Sequence, residues 1–166
     1  MENLSIEKIF VDALVEAERS WQSAEHVVKV IMPIVKDQKL LLRALETLHK
    51  GAVLSISTIL KYEYLYKHIQ LYKDTQKNME TFFNKCAHKY DLSIDERGLL
   101  KKLLILGKKH KESGFEFQKI GKMIILDDSL ETTEITRQTI DGFISVLRKL
   151  LFNARNIFSK SKRKGY

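Results

Sequence analysis

The chain has 166 residues and a mass of 19.4 kDa, the size of one domain in the usual range of roughly 100–200 residues. Its composition is 44% hydrophobic and 30% charged, with 7 Gly and 1 Pro. This is the make-up of a folded helical protein and excludes a disordered, collagen-like or turn-rich β-sandwich chain. The formal net charge is +8, and the single Cys86 excludes an internal disulfide and a multi-cysteine zinc site.

Hydrophobic residues recur with a 3.6-residue period from Ile6 to Ile31, predicting an amphipathic helix over 5–32 with Ser5 as its cap and Pro33 as its stop. Asp37 opens a second helix, predicted over 37–72. Its seam, Leu41, Leu45, Leu48, Ala52, Ser55, Ile59, Tyr62, Tyr66 and Ile69, steps by threes and fours as bundle helices do. Gly51 and Ala52 allow another backbone to approach closely. Asp74-Thr75 starts a third helix with Phe82, Phe83, Cys86 and Tyr90 inside.

Ser93-Ile94-Asp95-Glu96 is a capping box, and the fourth helix runs from it towards Ser113-Gly114. Residues 122–126 and 131–135 then read as strands around an Asp127-Asp128-Ser129 turn. Thr136 caps a last helix with the stripe Ile140, Phe143, Ile144, Leu147, Leu150, Leu151, Ala154. The expected fold is therefore mainly α: about five helices in a bundle, with a small β-hairpin (about 115–135) between helices four and five. The domain should span 1–159, followed by a frayed basic tail at 160–166.

The charge is unevenly placed. Residues 1–83 carry eleven bases and eleven acids, whereas residues 84–166 carry eighteen and ten. Within the second half a basic segment (97–122), an acidic one (123–141) and a basic one (142–166) follow one another. Such order produces patches. Lys101, Lys102, Lys108, Lys109 and Lys111 of helix four, with Arg148, Lys149 and Arg155 of helix five, are the candidate sites for an acidic partner such as nucleic acid, together with Lys162, Arg163 and Lys164 of the tail. Lys and Arg supply affinity for phosphates by releasing counterions, but no recognition helix, zinc finger or RNA-recognition signature accompanies them. Tyr64, off the hydrophobic seam and beside Lys61 and Lys67, is the best candidate for stacking on a base.

Catalytic patterns are sparse. Glu46 and His49 form one Glu-x-x-His, but a di-iron bundle needs two such motifs and two further glutamates, so no metal site and no cofactor are expected. Cys86 lies on an apolar stripe and reads as a core residue. No Gly-rich phosphate loop, Gly-x-Ser-x-Gly or His-Glu-x-x-His occurs. Arg43 and His49 form an Arg-x5-His spacing that resembles the motif of HEPN ribonucleases, small all-α proteins that dimerise. The resemblance implies a metal-independent ribonuclease in which His49 acts as acid or base and Arg43 holds the phosphate. On one helix, positions six apart point about 120° from each other, so the pair converges only with a partner surface.

A broader resemblance, to helical-bundle proteins of archaea, rests on residues 41–52, on Tyr62-Glu63 and on the β-like segments 123–128 and 132–136. It implies a fold and no chemistry. Met1-Glu2-Asn3-Leu4-Ser5 lacks the basic and apolar regions of a signal peptide, and no apolar run approaches a membrane span of roughly 18 residues. With the lone cysteine, these features predict a cytoplasmic chain without membrane contact. The long second helix suggests a homodimer, one chain being short of surface to cover it. The leading expectation is a non-enzymatic interaction or scaffold module, and the ribonuclease is the alternative.

Overall fold

The computed structural model describes residues 2–160, with side chains described from Ile6; the tail residues 161–166, including Lys162, Arg163 and Lys164, lie outside them. Five helices and one small sheet follow in order: α1 (residues 2–35), α2 (Leu40–Leu65), α3 (residues 75–86), α4 (Ile94–Glu112), β1 (Phe115–Lys119), β2 (Lys122–Leu126), β3 (Thr132–Thr136) and α5 (Arg137–Lys160). The mainly α architecture and the element order agree with the sequence reading.

Helix α1 exceeds its expected bounds at both ends. It is already helical at Ser5, which is therefore not its cap, and it continues past Pro33. The chain widens into a π-turn over Val27–Ile31, closed by the Met32 N–H donating to the Val27 carbonyl. Pro33 follows at the head of the last turn. There its missing N–H costs least, and the wider register eases the clash of its ring with the preceding turn. Lys36 in the left-handed region (φ 56°) ends the helix.

Helix α2 is shorter than its seam predicts. Lys67 takes φ 61°, its N–H reaches the Tyr64 carbonyl at 3.0 Å, and the His68 N–H reaches the Glu63 carbonyl at 2.9 Å. These are the paired bonds of a Schellman stop. A second one, on Asp91 (φ 60°), with Leu92 N–H to Ala87 O at 3.1 Å and Asp91 N–H to His88 O at 3.0 Å, follows α3. Both use a non-glycine residue at the left-handed position, so no glycine marks these ends in the sequence. The Asp74 cap, the Ser93–Glu96 capping box and the Thr136 cap of α5 form as expected.

Helix α2 is the centre of the bundle, flanked by α1, α4 and α5. At Gly51 three helices meet: a Cβ there would stand 3.3 Å from Leu147 Cδ2 and from Ser20 Cβ, and 3.4 Å from the Ala17 carbonyl. Gly51 thus permits the close approach its position suggested. Trp21 Nε1–H donates to the Ile144 carbonyl at 2.9 Å, and Arg155 forms a two-pronged pair with Glu18 at 2.8 and 2.9 Å, tying α1 to α5. Most of the apolar side of α2 is therefore covered within one chain, while Val53 and Leu65 of the helix and Tyr66 just beyond it stay exposed.

The hairpin carries an additional strand, giving an antiparallel sheet of order β1-β2-β3. Phe117 pairs with Ile124, and Ile124 with Glu134. Gly121, at φ 74°, makes the β1–β2 turn, a conformation that favours glycine. Met123, Ile125 and Ile135 join the bundle core, giving the hairpin the apolar support it needs in water. Asp127 Oδ1 accepts from the Ser129 N–H, the Ser129 hydroxyl and the Glu131 N–H, which fixes the β2–β3 turn. Among the described residues no helix is long and apolar enough to cross a membrane.

Candidate functional site

The eight basic residues marked in the sequence fall into two groups. Lys149 is 2.8 Å from Glu96 and 4.0 Å from Asp91. Glu96, which also closes the capping box, is held below the usual carboxylate range, chiefly by Lys149. Arg155 is committed to Glu18. These two cations are internal ties between helices. Lys102, Lys108, Lys111 and Arg148, by contrast, are exposed and have no carboxylate within 4.0 Å among the described residues. Lys101 is also exposed and lies over the Phe83 ring at 5.0 Å, and Lys109 reaches the Thr133 hydroxyl at 3.5 Å. Of these eight, the cations without an acid partner among the described residues lie on α4, apart from Arg148 on α5.

The inner edge of α4 builds a different site, where it crosses α2. Gly107 has no side chain, and the His49 ring lies directly on it: a Cβ at 107 would stand 2.2 Å from His49 Cδ2 and Cγ and 2.6 Å from His49 Cβ. Burial, then the nearby Lys111 and His110, hold the His49 imidazole below its ordinary pKa of 6.5. One turn away, His110 Nδ1 is 2.8 and 3.0 Å from the two oxygens of Glu116 on β1, and its Nε2 is 3.5 Å from Glu46. A carboxylate gripping Nδ1 orients an imidazole and leaves Nε2 as the outward nitrogen. Glu46 thus finds His110 on another helix as its imidazole partner; no bond links it to His49 of its own Glu-x-x-His.

An open cleft of about 630 Å³ runs along this junction, lined by Glu16, Arg19, Ser20, Ser23, Glu46, Thr47, Lys50 and Lys111. A smaller lobe of about 330 Å³ adds His49, Val53, Leu54 and Ser57 and shares Glu16, Lys50 and Lys111 with it. His49 lines this groove, and Arg43 lines neither lobe. The cation beside His49 is Lys111. No group of three or more potential metal ligands is assembled among the described residues.

A third cluster has no counterpart in the sequence reading. Glu63, 1% exposed, accepts from Lys89 Nζ at 2.7 and 2.9 Å, from the Tyr90 hydroxyl at 3.0 Å, and pairs with His68 Nδ1 at 2.6 Å. Burial alone would raise its pKa; the hydrogen bonds from Lys89, His68 and Tyr90 outweigh that and hold it low. Burial and the Glu63 charge push the Cys86 thiol up to about 11, so Cys86 is an inert core residue, as its stripe indicated. The network clamps the end of α2 to the end of α3, and its sequence trace is the polar Glu63 within an apolar seam. Of the tyrosines, Tyr62 is buried against Phe10 and Phe158, whereas Tyr64 is exposed.

No family model matches the chain, and no curated protein or solved structure proves similar to it.

Proposed function

We propose that the chain is a non-enzymatic interaction module that binds nucleic acid across the outer face of α4. The observation carrying this reading is the exposure of Lys101, Lys102 and Lys108 on that face with no carboxylate near them, whereas Lys89, Lys149 and Arg155 of the second half are taken up by internal acids. A row of solvated cations gives sequence-independent affinity for phosphates. The test is fluorescence anisotropy with a labelled single-stranded oligonucleotide over a range of salt. Binding should weaken steeply with salt, and each lost phosphate contact should flatten the logarithmic slope by about 0.7. Lys101→Glu with Lys108→Glu should abolish binding, and Lys73→Glu, an exposed base on another element, should leave it nearly unchanged. Salt-independent binding, or equal effects of all three reversals, would refute the reading.

One observation favours the ribonuclease alternative: burial and neighbouring cations keep His49 neutral near pH 7, the state a general base requires. In this version Lys111 replaces Arg43 as the cation beside His49. Incubation with mixed RNAs in a chelator, comparing the parent chain with His49→Ala, decides it. Absence of cleavage by the parent, or equal cleavage by both, would dismiss it.

A further inference from the structure

The groove between α1, α2 and α4 gathers cations from three helices. Arg19 of α1, Lys50 of α2 and Lys111 of α4 line the larger lobe with the hydroxyls of Ser20 and Ser23. None of the three has a carboxylate within 4.0 Å among the described residues. This holds although Glu16 and Glu46 line the same lobe at i,i+3 and i,i+4 spacings, from which pairs commonly form. Glu46 is instead directed towards His110. Three unpaired like charges facing one concavity repel each other, and a bound anion relieves that repulsion. The smaller lobe has another character, with the His49 ring, Val53 and Leu54 along its wall. It lies beside the cationic lobe and shares Glu16, Lys50 and Lys111 with it. Depressed protonation leaves the His49 ring uncharged at neutral pH, suited to stacking against a planar ring.

We propose that this groove is a nucleotide site: the phosphate lies among Arg19, Lys50 and Lys111, the base stacks along His49, Val53 and Leu54, and Glu16 accepts from ribose or base donors. The two lobes lie in the size range of small-ligand pockets, about 300–1,000 Å³. The site does not depend on the outer face of α4, from which it is separate. The same chemistry is offered by a free nucleotide and by one unit of a single strand, and the two are distinguished by the probes used.

The test follows the His49 ring resonances by NMR, assigned with His49→Gln, during titrations with adenosine monophosphate, adenosine, inorganic phosphate and a short oligoadenylate. Adenosine monophosphate should shift them saturably, with adenosine and inorganic phosphate at least tenfold weaker. Arg19→Gln and Lys111→Gln, exposed positions whose spectra report an intact fold, should each weaken binding about tenfold, whereas Lys101→Glu with Lys108→Glu should not. A response to the strand alone, lost in the same two variants, supports the site with a strand unit as its ligand. No shift with either nucleotide probe, binding unaffected by Arg19→Gln and Lys111→Gln, or inorganic phosphate or adenosine binding as tightly as the nucleotide would overturn the proposal.

Discussion

Replacing Gly107 by alanine isolates the contact that seats His49. The new Cβ would lie 2.2 Å from two ring carbons of His49 and 2.6 Å from its Cβ. Rotating the ring removes the first clash but not the second, so α2 and α4 must also separate slightly. Overpacking of this kind costs about 1–3 kcal/mol, and alanine returns about 1 kcal/mol of helix propensity, leaving a net loss of about 0–2 kcal/mol. Gly98, in the same helix, provides the control: nothing lies within 4 Å of its virtual Cβ, so Gly98→Ala should gain up to about 1 kcal/mol. Urea unfolding followed by far-UV circular dichroism and by fluorescence of the single Trp21 measures both. In a chain this size each kcal/mol moves the melting temperature by roughly 2–4 °C, so the two variants should melt on opposite sides of the parent or several degrees apart. The His49 titration in Gly107→Ala should also move back towards 6.5 as the ring loses its seat. Equal stabilities for the two alanine variants, together with an unmoved His49 titration, would refute the packing argument.

Glu63 has a folded pKa below its ordinary 4.5, so its contribution is present above pH 4.5 and is lost as the pH falls through the folded value. Glu63→Gln should cost about 1–3 kcal/mol near neutrality and reduce the acid-dependent part of the loss; urea midpoints across the pH series would expose an unchanged slope. His49 acts earlier: with a folded pKa below 6.5, the unfolded chain binds more protons just under that pH, so stability declines on acidification below 6.5, and His49→Gln should remove this component. Ser93→Ala removes the acceptor that holds the Glu96 N–H at 3.1 Å and should cost about 1 kcal/mol, read as a lower melting temperature. Cys86, buried and with its pKa at about 11, should resist a disulfide reagent at pH 8 in the native chain and react fully in urea; fast native reaction would contradict its packing.

Local patterns in the sequence carried the helices because each rests on neighbouring residues. The capping box, the Asp74 and Thr136 caps and the apolar stripe of α5 all read directly. The ends of α2 and α3 did not, because Lys67 and Asp91 occupy left-handed positions that composition assigns to glycine; α2 therefore stops at Leu65. The strand Phe115–Lys119 is no shorter than the other two, but it is an edge strand without a buried residue and lacks the apolar run that marks its partner Lys122–Leu126. The candidate site was legible in part. His49 and Lys111 were singled out, but for separate reasons and as members of different patterns. Arg19 and His49 meet Gly107, His110 and Lys111 of α4 only through the crossing of helices distant in sequence, which no spacing rule encodes.

The same distinction decides what the lysines of α4 are for. A helix favours acids in its first turn and bases in its last, and α4 has Asp95 and Glu96 at one end and Lys109, His110 and Lys111 at the other. Lys109 and Lys111 therefore stabilise the helix whether or not anything binds, by about 0.3–1 kcal/mol each. Lys101 and Lys102, exposed at mid-helix, gain nothing from the helix ends, and their charge has no structural role comparable to that of Lys149 or Arg155. Reversing Lys102 should leave the melting temperature within about 1 °C of the parent, since exposed substitutions change stability little. Reversing Lys101 adds the loss of its contact with the Phe83 ring, about 0.5–1 kcal/mol, and both reversals should weaken oligonucleotide binding. Reversing Lys111 should lower the melting temperature as well as disturb the groove. Thermal melts run beside anisotropy on the same samples separate the two roles. If the Lys102 reversal destabilises the chain as much as the Lys111 reversal, and the Lys101 and Lys102 reversals leave binding intact, the outer face of α4 is a solvated helix surface and nothing more.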